Sequence, residues 1–153
     1  MSEAPEFPVT VTESGNGPYA QSITAGHHTL TADEPETLGG HDTGPSPYNF
    51  LLAGLGACAA MAMRGYAGRH GWQVEYITIA LRHEKIAQPG SAEKVDRFER
   101  LIDLKGALTG EQRQRLLEIA ENCPVSRTLK RASIVQSRLA PGEDDALFPP
   151  ARE

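Results

Sequence analysis

The sequence predicts an α+β domain, and three observations carry that expectation. Short Val-, Thr- and Ile-rich runs broken by turn residues open the chain. A long helix of small residues follows, and then two alternating apolar runs lead into a capped amphipathic helix. In order the elements read βββ–α–ββ–α–β across a single domain at 1–140, a size that 153 residues suit. The tail at 141–153 is acidic and proline-rich, a composition that predicts disorder.

Residues 7–12 and 19–33 read as short antiparallel strands, separated by Ser14-Gly15-Asn16-Gly17-Pro18 and by Ala25-Gly26. Glu34 to Ser46, with its glycines and prolines, is a loop. Ser46-Pro47 then marks a helix start, Ser as N-cap and Pro at the first helical position. That helix is expected to run from Pro47 to His70 and stop at Gly71. Leu51, Leu55, Cys58 and Ala62 fall on one face. Its glycines each cost about 1 kcal/mol relative to Ala, a cost that close approach of another backbone offsets, so the helix reads as central and buried.

Residues 72–87 alternate, with Ile77, Ile79 and Leu81 on one side. After a turn at Pro89-Gly90-Ser91, Phe98, Ile102 and Leu104 share a face, so the two runs form a long hairpin. Arg100 has the parity of those apolar residues, which is odd for a solvated arginine. Thr109 and Gln112 fit a capping box. They open a helix with Leu116, Ile119, Ala120 and Cys123 on one side and Pro124 at its end. A short helix at 125–130 and a last strand at 133–139 complete the domain.

Fifteen basic against twenty acidic residues leave no basic footprint, which argues against a nucleic-acid partner. No signal peptide precedes the strands. The longest apolar-looking stretch, 50–63, is shorter than the roughly twenty residues of a membrane span. The reading is a cytoplasmic chain in a reducing compartment. Two cysteines are too few for a disulfide scaffold or a structural zinc site. His27 and His28 on one strand should face opposite ways. His41, His70 and His83 share no ligand spacing, so neither metal nor cofactor is expected.

Cys58 and Cys123 each read either as small core residues or as a redox pair. Cys123 precedes Pro124, which puts it at the N-cap of the short helix, where unpaired N–H groups favour a thiolate. Arg127 lies four residues on. Met61 and Met63 read as core filler.

The run GPSPYNFLLAGLGACAAMAM, followed 65 residues after its cysteine by NCPVSRTL, resembles the OsmC/Ohr family over about residues 8 to 140. The resemblance implies antiparallel sheets with two central helices in an intertwined homodimer, with active sites at the interface. Active members reduce organic hydroperoxides. By that resemblance Cys58 is the peroxidatic thiolate, and Cys123 is the resolving thiol that an external dithiol later regenerates. Those members also place a Glu ten residues before the first cysteine and an Arg on the N-terminal strands. Here that position is Tyr48, and no arginine precedes Arg64. Tyr48 and Arg127 become candidate substrate-binding residues, with Arg127, Arg64 and Arg100 as candidate sources of positive charge. The alternative is a non-catalytic OsmC-like dimer that binds a small apolar ligand or a partner in the interfacial pocket.

Overall fold

The computed structural model describes residues 7–140. Three short strands, β1 (Val9–Glu13), β2 (Gln21–Ala25) and β3 (His28–Ala32), form an antiparallel sheet in that order. Val11, Ile23 and Leu30 stand in register across it. Helix α1 (Pro47–Arg69) follows, then the hairpin β4 (Tyr76–Ala87) and β5 (Lys94–Lys105), then α2 (Gly110–Glu121) and α3 (Pro124–Leu129). The two sheets are separate. The core lies between α1, α2, α3 and the inner face of the hairpin, while no other described element packs extensively on the three-stranded sheet.

Local signals place most boundaries. Ser46 caps α1 with extended backbone and Pro47 begins it. Gly71, at φ 67°, ends the turn after it in the left-handed region that other residues avoid. At α2 the Thr109 hydroxyl accepts the Gln112 N–H at 3.1 Å, and the Gln112 side chain accepts the Thr109 N–H at 2.9 Å. Such a reciprocal cap contributes about 1 kcal/mol. The loop after β3 is organised by buried Asp33, whose carboxylate accepts the backbone N–H groups of Glu34, His41 and Thr43 and the Thr43 hydroxyl. The Thr43 hydroxyl contributes most to holding that carboxyl below its usual range, against the opposing effect of burial.

Two expectations about α1 need correction. Its buried stripe is Leu55, Ala59, Met63 and Ala67; of the expected face, Leu55 is buried and Cys58 and Ala62 pack half-buried against the core, but Leu51 is 46% exposed. Met61, expected in the core, is 72% exposed, whereas Met63 is fully buried. The physical reason lies in the small residues. A Cβ added at Gly56 would meet Leu81 of β4 at 2.7 Å, so the helix approaches the hairpin along its glycine and alanine side. By length and apolar composition α1 is long enough to cross a membrane, but its buried stripe is part of the core.

The last expected strand does not form. Residues 132–140 have no ladder partner, and Ile134, Val135 and Leu139 are exposed. A strand needs an edge to pair with, and this segment pairs with none among the described residues. His27 lies in the turn before β3 rather than on the strand, and its ring comes within 4.0 Å of the His28 ring. The expected opposition of these two side chains is therefore wrong. No group of three or more candidate metal ligands occurs among the described residues. The tail at 141–153 lies outside the described residues.

Candidate functional site

Cys58 and Cys123 come from two elements of one core, α1 and the start of α3. Cys58 is half-buried on α1 and packs against the cluster that contains Cys123. Cys123 is 2% exposed and is the N-cap of α3, with extended backbone at φ −64° and ψ 155°. Both are free thiols. Burial pushes the Cys123 thiol up. Hydrogen bonding from the Ser126 hydroxyl and amide, from the Cys58 thiol, and the Arg100 charge outweigh that cost and hold it below its ordinary value.

The odd parity of Arg100 now has an explanation. It sits opposite Leu81 in the hairpin, and its side chain is 8% exposed. Its guanidinium donates to the Ala120 carbonyl at 2.9 Å and to Glu121 at 3.2 Å, at the end of α2 just before Cys123. Lys130 holds the same Glu121 from α3, donating to its carboxylate at 3.1 Å and its carbonyl at 2.8 Å. Lys130, and behind it Arg100, keep the Glu121 carboxyl below the usual carboxylate range against partial burial.

A cleft of about 410 Å³ opens beside this cluster, bounded by Leu55, Phe98, Arg100, Ser126, Leu129 and Lys130, with Asp96 also on its wall. Cavities of this size suit small organic ligands. Toward the tip of the hairpin the inner face turns polar. His83 bonds Asp96 at 2.7 Å, Asp96 takes Lys85 at 3.2 Å, and Tyr48 stacks flat on His83 with centroids 4.3 Å apart. The bond to His83, then Lys85, keeps the Asp96 carboxyl low.

A family model described as "OsmC-like protein" matches residues 40–138, well over half of the chain. The chain belongs to the OsmC-like family. Solved structures agree at the level of fold. An osmotic stress induced and detoxification response protein from Psychrobacter arcticus is 18% identical, with 80% of this chain and 87% of that one covered at a TM-score of 0.67. An organic hydroperoxide resistance protein OsmC from Legionella pneumophila is 22% identical over 80% and 87% of the two chains, at 0.59. The organic hydroperoxide resistance protein OhrB of Bacillus subtilis is 23% identical over 78% and 87%, at 0.55. No curated protein matches the sequence.

Within this OsmC-like chain the sequence candidates fare differently. Cys58 packs against the core cluster that contains Cys123, and the two thiols are not joined. Tyr48 stands over His83, and Arg127 is exposed on α3 and does not line the cleft. Arg64 caps the carbonyls of Val74 and Glu75 behind the core. Arg100 is therefore the one of the three candidate arginines whose charge acts on Cys123. Sequence reasoning missed Glu121, Lys130, Ser126, His83 and Asp96. The usable signal was parity: His83 continues the row of Ile77, Ile79 and Leu81, and Asp96 continues that of Phe98 and Arg100.

Proposed function

We propose that this OsmC-like chain is a cytoplasmic thiol redox protein that reduces organic hydroperoxides through Cys58 and Cys123. The observation that carries the reading is the lowered Cys123 thiol beside a free, more accessible Cys58. Buried and hydrogen-bonded, Cys123 gives up its proton more readily than an ordinary thiol. Once ionised it can accept the Cys58 proton, which leaves the thiolate on the sulfur that a substrate reaches. This device stands in for the Glu and Arg that the chain lacks.

The chemistry then balances. The Cys58 thiolate attacks the outer peroxide oxygen, the O–O bond breaks, and the alkoxide leaves as an alcohol after taking a proton from solvent. The sulfenic acid condenses with the Cys123 thiol, forming a disulfide and releasing water. An external dithiol reduces that disulfide and is itself oxidised. In this reading the approach to the pair is the cleft walled by Leu55, three residues before Cys58, and by Ser126, three residues after Cys123.

The working unit in this reading is a homodimer. Its support is the bare three-stranded sheet and the exposed Leu51 and Met61 of α1. Charge agrees, because all fifteen Lys and Arg lie from Arg64 onward, while the first 63 residues carry seven Asp and Glu. The test adds t-butyl or cumene hydroperoxide with a dithiol and follows consumption. Cys58→Ser is expected to fall to the uncatalysed rate; equal rates for wild type and variant would sink the enzymatic reading.

The flat stack of Tyr48 on His83 favours a second reading as a non-catalytic binder. Thiol titration separates the two. An ordinary thiol titration, with no Cys58–Cys123 disulfide after mild oxidation, supports binding alone.

A further inference from the structure

We propose that the cleft beside Ser126 is selective for organic anions, taking the carboxylate of a ligand on Arg100 and Lys130 and its apolar body along Leu55, Phe98 and Leu129. This rests on the reading of that cleft as the approach to the thiol pair and adds the class of molecule it admits.

The chain itself displays the recognition. The Glu121 carboxylate, half-exposed, is gripped at once by Arg100 at 3.2 Å and Lys130 at 3.1 Å. Two cations share one carboxylate, so the α3 side of the cleft keeps a positive excess. Arg100 has five N–H donors in a planar fork, and its bonds to Ala120 and Glu121 engage two of its nitrogens while the residue still borders the cavity. A guanidinium this buried has lost most of its hydration and gains from a second anion. The acid on the opposite wall does not compete for that role. Asp96 is already matched by His83 and Lys85. Arg97, at the rim, is paired with Glu84 across the hairpin. The floor between these walls is apolar, through Leu55, Ile86, Phe98 and Leu129. Together these features ask for a molecule charged at one end only.

The experiment uses the full chain carrying Cys58→Ser and Cys123→Ser, so that no redox chemistry intervenes, and compares octanoate with octanamide by calorimetry. Octanoate is expected to bind at least about tenfold more tightly, the scale of one charge-assisted hydrogen bond. Lys130→Gln, at an exposed position, should lower octanoate affinity several-fold and leave octanamide unchanged. Glu121→Gln removes the resident competitor and should raise octanoate affinity. Equal binding of the two probes, no binding of either, or indifference of octanoate to both substitutions would overturn the anion site. Peroxide turnover by the wild-type chain is read separately. Turnover without octanoate selectivity defeats only the anion site, and selectivity without turnover defeats only the redox reading.

Discussion

Cys123→Ser is expected to change the stoichiometry of the first turnover. Without added reductant, the wild-type protein should lose two thiols for each organic hydroperoxide consumed, because in the proposed cycle Cys58 sulfenic acid condenses with Cys123. The variant should lose one thiol and leave a sulfenic acid that dimedone traps. The first step should also slow by roughly a hundredfold at neutral pH, the low end of what a positioned proton acceptor contributes. A serine hydroxyl fills the N-cap of α3 as well as a thiol does, so the variant should fold, and its defect is chemical. The pH dependence has a defined sign. Because Cys123 is held below the ordinary thiol value, the wild-type rate should persist to lower pH than that of the variant. One thiol lost per peroxide in the wild type, or equal first-turnover rates, would remove Cys123 from the mechanism.

Gly106→Ala is expected to be among the most damaging single-methyl changes to stability. Gly106 follows β5 at φ 137°, and a Cβ there would lie 2.0 Å from the Gln73 carbonyl oxygen and 3.0 Å from the Glu75 nitrogen. Those atoms are backbone, and they are pinned. Glu75 N–H bonds the Lys105 carbonyl at 2.8 Å, and Arg64 caps the carbonyls of Val74 and Glu75. Neither strand end can step aside without breaking these bonds, so backbone strain and overpacking add to about 3 kcal/mol. Urea unfolding should show a lower midpoint at unchanged slope. Gly110→Ala is the control, since an added methyl there meets nothing within 4 Å at the start of α2. A midpoint for Gly106→Ala within error of this control would refute the argument.

What the sequence made legible follows the range of the interactions concerned. Ser46-Pro47, the Thr109–Gln112 box and the turn around Gly90 are decided by neighbours a few residues apart, and each sits where it was expected. The Cys123 N-cap was equally local. Arg100 announced itself by parity alone, though its partners on α2 lay beyond any local pattern. The face of α1 was only partly legible, because its residues are largely small and apolar, so periodicity defines the side loosely and approach to Leu81 decides. The segment at 133–139 has the composition of a strand, but a ladder needs an edge that the sequence does not specify. The site was legible only as two sulfurs. The grip of Arg100 and Lys130 on Glu121 joins residues from three elements.

The bare three-stranded sheet carries one more consequence. Strands of five residues with Val9, Val11 and Leu30 open to solvent bury too little apolar area to order themselves. In the proposed homodimer a second copy is their cover, so ordering this sheet and assembling the pair become one event governed by mass action. The melting temperature should then rise with protein concentration, and dilution should unfold the N-terminal sheet before it disturbs the thiols.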